Sequence, residues 1–269
     1  MRKRFRICLV SIFVAVIGGI LWTALREPRE PIYQGKPLSV WLERYVSGGS
    51  YVDFRPDSEA DEAVRQIGTN AIPLLLRMVR ARDSKTKLAL AELLNKQKLV
   101  EIRYPRSWWA AYYQSEVAVQ AFGALGANAS NADPQLIQTY QENVGPESQL
   151  GCLEALGRIG PAANQAIPDL LGALTNVNPV LRWAAVEALV KIHLEPGLLM
   201  PILIDGLQGE YVRLRLYSVR ALGEFGKEAK AAVPGLTQLL SDPDTNIVTE
   251  ASNALKAIDP EAAAKAGVK

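Results

Sequence analysis

The stretch Pro179-Val-Leu-Arg-Trp-Ala-Ala-Val-Glu-Ala-Leu-Val-Lys-Ile192 decides the fold, because its pattern returns at a fixed interval along the chain. Its large apolar residues, among them Leu181, Val186 and Leu189, recur at the spacing of one helix face, and small alanines lie between them. Short side chains let neighbouring helices approach closely. The stretch therefore predicts an α-helix that stacks against similar helices.

Two independent markers hold one period of about 33 residues, a length typical of repeats built from paired helices. The first is an Ala-Leu pair, which occurs at Ala155-Leu156, Ala188-Leu189, Ala221-Leu222 and Ala254-Leu255. The second is a proline followed two residues later by leucine, at Pro134, Pro168, Pro201 and Pro234. Two markers that keep one period over four units indicate a repeat architecture.

Each unit is predicted to contain two helices. The second begins near the proline, because the first turn of a helix tolerates the missing N–H of proline. Gly126, Gly160 and Gly226 fall where the first helices end, and a left-handed C-cap favours glycine there. Cys152 shares one repeat position with Ala185, Ser218 and Ala251, so it is interpreted as a small core residue rather than a reactive thiol.

The repeats resemble those of a known family. Val219-Arg-Ala-Leu-Gly-Glu-Phe-Gly226 with Ala232-Val-Pro-Gly-Leu236, and Asp242-Pro-Asp244 with Ala254-Leu255, look like the short HEAT repeats also found in phycobilin lyase-like proteins. The signatures of ankyrin and tetratricopeptide repeats, which have a similar period, are absent. The resemblance covers roughly residues 57–269. It implies an all-α fold, a right-handed α-α superhelix, and the apolar N-terminal segment discussed below is expected to precede it as one transmembrane helix.

The repeat pattern changes at both ends of the array. A first unit is predicted over Asp61–Ala81, and a short polar segment from Asp259 closes the last unit, as a terminal cap should. Residues 26–56 are interpreted as a linker and a short capping helix. The linker is expected to be extended over Arg26–Gly35, which holds Pro28 and Pro31, and the helix covers Ser39–Tyr45 with Ser39 as the N-cap. Trp41 and Leu42 are expected to cover the open face of the first repeat.

The N-terminus predicts a membrane anchor. Residues 1–6 carry four basic residues, and residues 7–25 contain no charged residue over a length that spans roughly 28 Å as a helix. The basic tail predicts a cytoplasmic N-terminus and an extracytoplasmic, for example periplasmic, solenoid. The alternatives are a cleaved signal peptide, which would give a secreted protein, and a soluble core helix. This segment, followed by Tyr33-Gln-Gly-Lys-Pro-Leu-Ser-Val-Trp-Leu42, also resembles bacterial membrane-anchored HEAT-repeat proteins.

Charge and residue types argue against several classes of function. The net charge is +2, and removal of the four basic residues of the tail from the total of 30 leaves 26 against 28 acidic ones. This balance gives no electrostatic reason to bind nucleic acid. The single histidine, His193, is interpreted as a helix C-terminal residue, because one histidine does not make a metal site. We therefore expect no catalytic site, no metal and no cofactor.

The second helices are expected to line the concave face of the array. Four and seven positions after the aligning prolines, this face would carry polar residues: Arg77, Arg80, Gln138, Gln141, Asp205, Gln208 and Gln238. Such a nearly neutral, glutamine-rich surface lacks a carboxylate pair for acid–base catalysis. These residues are candidates for contact with a partner.

An insertion near residues 99–114 is the second candidate surface. Its aromatic residues include Trp108, Trp109, Tyr112 and Tyr113, in a region rich in basic residues. The aromatic side chains either pack the insertion onto neighbouring repeats or form a partner-binding patch, since aromatic residues are enriched at interaction hot spots. Contact with anionic lipid headgroups is a third interpretation.

The functional hypothesis is a non-catalytic, membrane-anchored HEAT-repeat scaffold that binds other proteins. Its alternative, which follows from the resemblance, is a lyase-like or chaperone-like protein that holds a small ligand or cofactor on its concave face. Shared repeats alone do not choose between the two, because fold does not dictate function.

Overall fold

The structure, a computed structural model, describes residues 30–46, 57–83 and 110–268. The predicted basic tail, the membrane segment at 7–25, and Trp108 and Trp109 lie outside the described residues. Helices dominate the described part of the chain, and they alternate between long and short from residue 58 onward. The helices are α1 (Leu38–Leu42), α2 (Ser58–Ile67), α3 (Ile72–Val79), α4 (Ala111–Leu125), α5 (Asp133–Gln141), α6 (Pro146–Ile159), α7 (Ile167–Ala173), α8 (Pro179–Lys191), α9 (Pro196–Gly206), α10 (Val212–Phe225), α11 (Val233–Gln238), α12 (Thr245–Ile258) and α13 (Pro260–Lys265).

Residues 32–37 form a β-hairpin, so the prediction of an extended linker was wrong there. Strands β1 (Ile32–Tyr33) and β2 (Lys36–Pro37) pair antiparallel. Gln34 and Gly35 both have positive φ, 47° and 73°, which is the backbone of a two-residue hairpin turn. The sequence signal for an irregular segment came from prolines, but Pro37 lies at a strand end, where a missing N–H is tolerated.

The capping helix starts one residue earlier than predicted, and Ser39 is not its N-cap. Pro37 precedes the first helical residue, and no side chain caps this end. The backbone N–H of Ser39 instead donates to Oε2 of Glu30 at 2.8 Å. Leu42 is fully buried in the core that also contains Val64 of α2, as predicted, whereas the Trp41 ring packs on Tyr33 of the hairpin, with ring centres 5.8 Å apart.

The long helices form one closely packed layer. An ideal Cβ built on Gly157 of α6 would lie 3.0 Å from Cα of Ala188 in α8, and one on Gly223 of α10 would lie 3.4 Å from Cα of Ala254 in α12. Backbones approach this closely only where side chains are very small. Cys152 and its three repeat equivalents are all fully buried at such positions, which agrees with the predicted core role.

Short 3-10 segments connect the long helices to the short ones. They cover Gly68–Ala71, Gly126–Ala132, Gly160–Ala166 and Gly226–Ala232, and each opens with the glycine that ends the long helix. Gly160 has φ 77° and ψ −147°. The positive φ was predicted, but ψ lies outside the left-handed helical region, and glycine adopts this combination with far less strain than other residues.

The unit made of α8 and α9 departs from this pattern. His193 takes the glycine position with φ 62°, and the N–H of Leu194 donates to the carbonyl oxygen of Leu189 at 3.0 Å. This six-residue closure is that of a Schellman motif. The 3-10 segment is missing here, and α9 begins earlier than its equivalents, so Pro201 lies inside the helix instead of in its first turn.

The last unit ends as predicted, in the short polar helix α13. The side chain of Asp259 accepts a hydrogen bond from the N–H of Ala262 at 3.0 Å, and Ala263 is 1% exposed. Across residues 30–46, 57–83 and 110–268, no helix combines the length and the apolar character that crossing a membrane requires.

Candidate functional site

The exposed side of the long-helix layer is concave. Arg213 in α10 lies near enough to Tyr112 and Glu116 in α4 that its positive charge acts on the pKa of both groups. Helices α4 and α10 are three helix-to-helix steps apart, which in a straight stack would separate them by roughly 25–30 Å. The stack must therefore curve toward this side. We call this surface, bounded by Tyr112 and Glu116 at one wall and Arg213 at the other, the long-helix groove.

This curvature corrects the expectation that the short helices line the concave face. The close approach at Gly157 and Gly223 lies in the long-helix layer, and the more closely spaced layer of a curved stack is the inner one. The expectation assigned the two layers by their order within the repeat, and that order depends on where a repeat is chosen to begin.

Two carboxylates, Glu154 of α6 and Glu116 of α4, lie half-buried in the groove. Burial raises the pKa of Glu154 to about 8, the negative charges of Glu116 and Glu187 add to the rise, and Arg158 and Lys191 oppose it. Burial also raises the pKa of Glu116. Within the described residues, neither carboxylate forms a hydrogen bond or an ion pair. Both are therefore partly desolvated groups without a bonded partner in the described part of the chain.

Aromatic and basic side chains form the rest of the groove. The guanidinium of Arg213 lies 5.7 Å from the ring centre of Trp183, within the range of a cation–π contact. The same Trp183 ring packs edge-on against Tyr211, with ring centres 6.4 Å apart. Burial, with the nearby charges of Glu187 and Glu224, raises the pKa of Tyr217. The groove therefore combines charges of both signs with aromatic rings.

Two ion pairs extend this surface along the long helices. Lys191 binds Glu187 one turn away on α8. Arg220 of α10 binds Glu250 of α12 at 2.7 Å, across the junction of two units. A cavity of about 360 Å³ lies at this junction, lined by Gly223, Glu224 and Asn253 among others. The groove therefore continues toward the C-terminal cap.

The residues predicted for the short helices lie on the opposite, convex side and are exposed. Several of them bridge neighbouring short helices. Arg80 forms an ion pair with Glu142, Gln141 donates to Asp169 at 2.7 Å, and Gln208 donates to Gln238 at 3.1 Å. Gln138 bonds within its own helix to Glu142, and Arg77 and Asp205 are exposed. Their role in partner binding remains a prediction.

Only two of the four predicted aromatic residues of the insertion are within the described residues. Tyr112 and Tyr113 lie in the first turn of α4, with ring centres 5.6 Å apart and an edge-on orientation. Tyr112 is 45% exposed at the groove, whereas Tyr113 is half-buried. Among the predicted site residues that the structure describes, only Tyr112 lies in the groove.

Neither His193 nor Cys152 lies in a reactive environment. Burial raises the pKa of the Cys152 thiol to about 12, so the thiolate that reacts is disfavoured. His193 is an exposed helix C-terminal residue. Within the described ranges, no three His, Cys, Asp or Glu side chains come together in a way that could hold a metal ion.

Sequence reasoning missed the groove residues Glu116, Glu154, Glu187 and Trp183. A signal was present, because Glu154 and Glu187 occupy equivalent repeat positions in helices otherwise filled with small and apolar residues. A charged residue that recurs at the same repeat position of otherwise apolar helices indicates a surface to which successive repeats each contribute that residue. The missing information was which helix layer curves inward.

The comparison with protein families agrees with the repeat over part of the chain. Residues 200–266 match the family model of HEAT repeats. No curated protein sequence matches the chain. Among solved structures, a designed armadillo repeat protein in complex with the peptide (KR)4 is similar at 14% identity over 83% of this chain and 100% of that one, with a TM-score of 0.43.

Two further structures are similar over most of the chain. The complex of CpcE and CpcF of phycocyanin lyase from Nostoc sp. PCC7120 is 18% identical over 87% of this chain and 100% of that one, with a TM-score of 0.34. An engineered protein is 18% identical over 85% of this chain and 97% of that one, with a TM-score of 0.38.

The matched residues 200–266 extend from α9 through α13, and the same period and helix pairs continue through the preceding units. Residues 200–266 are therefore similar to HEAT repeats, and the described residues 111–265 form a helical solenoid of helix pairs with the same period.

Proposed function

We propose that this chain is a membrane-anchored HEAT-repeat scaffold, without a catalytic site of its own, that binds a partner protein in the long-helix groove. The observation that supports this proposal is the pair of half-buried carboxylates, Glu116 and Glu154, without a bond to any described residue. A partner that supplied hydrogen-bond donors would satisfy both. Aromatic rings at the walls add contact area of the kind found at interaction hot spots.

The mixture of groups in the groove favours a protein partner over a small ligand. A site for a small molecule is usually a closed, largely apolar pocket. The groove is instead open and polar, and with its continuation along α12 it extends over five units, from Tyr112 in α4 to Glu250 in α12. Extended concave surfaces of this kind are what solenoids present to proteins and peptides.

Photo-cross-linking in cells tests the groove directly. A photoreactive amino acid replaces Tyr112 or Arg213, on opposite walls, or Arg77 or Gln238, on the short-helix side. We expect both groove positions to capture the same protein and neither short-helix position to capture it. Capture from positions 77 and 238 alone would instead support the glutamine-rich surface predicted from the sequence.

A substitution inside the groove is the matched test of specificity. Glu154→Gln removes the carboxylate and keeps the shape, and we expect it to lower capture at position 213 several-fold. Gln141→Ala on the short-helix side should leave capture unchanged. Equal capture by both variants would contradict a role for the groove carboxylates, provided that both proteins show the same thermal unfolding.

The membrane anchor is part of the proposal and rests on the apolar residues 7–25 and the basic tail before them. In this orientation the solenoid lies on the extracytoplasmic side. We expect the full-length protein to resist extraction from membranes by alkaline carbonate and to be digested by protease added from the outer side. A mature protein that begins near residue 26 would support the cleaved signal peptide instead.

A further inference from the structure

One junction between consecutive units shows a complete arginine–carboxylate bridge. Nη1 of Arg215, in the first turn of α10, donates to the carbonyl oxygens of Gly209 at 2.9 Å and Glu210 at 3.1 Å. Nε and Nη2 of the same side chain donate to Oδ2 and Oδ1 of Asp242, at 2.9 and 3.3 Å. The side chains of Arg215 and Asp242 are only 13% and 5% exposed. The carboxylate of Asp242 thus occupies the space that faces Nε and Nη2 of Arg215. We call these two donors the arginine fork and the space in front of them the slot.

The preceding junction has the same arginine in the same pose. Arg182 occupies the repeat position of Arg215 in the unit before it, and its Nη1 donates to the carbonyl oxygens of Asn176 at 2.7 Å and Val177 at 3.3 Å. These two carbonyls are the repeat equivalents of the two that Arg215 binds. The guanidinium of Arg182 is therefore oriented by the same pair of backbone contacts.

The carboxylate is missing from this second junction. Gly209 stands where the repeat has Asp242 in the next unit, and glycine has no side chain to offer. Within the part of the chain that the structure describes, no carboxylate oxygen lies within ion-pair distance of Arg182. By the repeat equivalence, Nε and Nη2 of Arg182 point toward the slot that Gly209 leaves open.

A cavity of about 530 Å³ occupies this place. Both Arg182 and Gly209 line it, and Leu174, Val186, Ile202 and Leu214 provide apolar walls. Its volume is larger than one carboxylate group needs, so it also has room for the chain that carries the group. An arginine fork beside apolar walls matches the shape and charge of a carboxylate on a peptide.

We propose that this cavity binds the carboxylate of an acidic side chain carried on an extended segment of a partner protein, in the manner in which Asp242 binds Arg215. Asp205 and Glu210 also line the cavity, and their negative charges oppose a free anion and an acidic side chain alike, so an occupant needs hydrogen bonds beyond those to the arginine. Their oxygens can accept hydrogen bonds from the backbone N–H groups of a peptide. The cavity therefore selects a carboxylate within a peptide. The site lies at the inter-repeat loops, so it does not depend on the long-helix groove.

The chain itself supplies the probe, because residues 239–247 carry the natural occupant of the equivalent slot. A fluorescein-labelled peptide with the sequence of residues 239–247 is titrated with the full-length protein in mild detergent, and fluorescence anisotropy is measured. We expect saturable binding. The same peptide with Asp242→Asn should bind at least tenfold more weakly, since it cannot form a charged pair with the arginine.

Protein variants identify the site. Arg182→Gln should weaken binding of the peptide at least tenfold, whereas Arg65→Gln, on the exposed face of α2, should leave binding unchanged. Gly209→Asp supplies the missing carboxylate from the chain and should also abolish binding. The new Cβ lies 2.9 Å from Cδ2 of Leu214, the flexible end of a side chain, and 3.2 Å from the carbonyl oxygen of Gly206, so the fold of this variant is checked before its binding is measured.

Several results would overturn the proposal. They are the absence of saturable binding, equal binding of the Asp242→Asn peptide, and unchanged binding by Arg182→Gln. If acetate competed as well as the unlabelled peptide at the same concentration, the cavity would recognise a carboxylate without the peptide around it. That result would overturn the proposed selection for a peptide. Circular dichroism of each variant confirms that a loss of binding does not reflect a loss of fold.

Discussion

The two helix layers of this solenoid differ in how their members meet. In the long-helix layer, backbones approach each other directly at Gly157 and Gly223, and charged side chains are half-buried in the groove. In the short-helix layer, neighbours are bridged by polar side chains, as in the bonds from Gln141 to Asp169 and from Gln208 to Gln238. The close contacts of the long-helix layer thus determine the curvature of the solenoid, and the short-helix layer spans the wider outer side through polar side chains.

This difference explains why two polar surfaces of one solenoid have different chemistry. The inner layer brings side chains from several units together, so that Arg213 acts on Glu116 from three helices away. The outer layer spreads its side chains apart, so that Gln141 and Gln208 reach only the next unit and Gln138 bonds within its own helix. Desolvation consequently raises the pKa of Glu116 and Glu154 in the groove, whereas Gln141, Gln208 and Gln238 of the outer surface remain exposed to water.

The largest expected effect is at the junctions that tie one unit to the next. Arg215→Gln breaks a nearly buried ion pair and leaves Asp242 without its partner, so we expect the free energy of unfolding to fall by about 3 kcal/mol. Arg182→Gln removes the same backbone contacts without any ion pair, and should lower it by less than about 1 kcal/mol. Urea denaturation followed by circular dichroism measures both. Equal losses would show that the carbonyl contacts, not the carboxylate, stabilise the junction.

A pair of glycine substitutions compares the packing of the two layers. Gly157→Ala puts a Cβ 3.0 Å from the Ala188 backbone, and this overpacking should lower the free energy of unfolding by about 1–3 kcal/mol. Gly172→Ala, on the short helix α7, meets no atom within 4 Å and should raise it by about 0.5 kcal/mol through better helix propensity. Thermal unfolding of the two variants provides the comparison. A tolerated Gly157→Ala would contradict close backbone contact in the inner layer.

The pH dependence of stability tests the desolvation of the groove. The pKa of Glu154 is about 8 in the folded chain, against 4.5 as the ordinary value, so the folded state binds more protons between these two pH values. The free energy of unfolding should therefore fall as the pH rises from about 4.5 to 8. Glu154→Gln removes this contribution, and at pH 8.5 the variant should be more stable than the wild type by about 1–2 kcal/mol.

The matched control for this effect is a carboxylate of the outer layer. Glu142 is exposed and paired with Arg80, so Glu142→Gln should leave the pH dependence between 4.5 and 8 nearly unchanged. If Glu154→Gln followed the same curve as the wild type, the groove would be as well hydrated as the outer surface.

The smallest effect is expected on the outer surface itself. Gln208→Ala removes an exposed hydrogen bond to Gln238, and the free energy of unfolding should change by less than about 0.5 kcal/mol. Urea denaturation checks this value. A loss several times larger would mean that the polar bridges of the short helices contribute substantially to holding the units together.

Most of the repeat architecture could be predicted from the sequence, because local chemistry specifies it. The constant repeat period and the prolines at the second helices predict the helix pairs over 111–265 in outline, and glycine marks the end of the first helix in three of these pairs. The prediction failed at residues 32–37, because proline occurs both in extended linkers and at the ends of strands. Proline suggested an extended linker around Pro31, yet the segment folds into the β1–β2 hairpin because Gln34 and Gly35 adopt the turn.

The unit of α8 and α9 shows how much variation the pattern tolerates. Replacement of the glycine by His193 keeps the positive φ but ends the 3-10 segment, and the second helix starts earlier. The same unit departs from the pattern a second time, because Gly209 stands at the position whose carboxylate would bind Arg182. A repeat alignment by itself reveals both departures, but it does not show that the second one opens a cavity beside an arginine.

The sequence by itself determined the class of this protein, since periodicity, helix starts and helix ends are properties of residues close together in the chain. Only the tertiary structure decided which layer faces inward. Curvature depends on the small difference in spacing between two stacked layers, summed over several units, and no single repeat contains that information. The same summation brings Arg213 near Tyr112 and buries Glu154, so the candidate site arises from the stacking of the repeats.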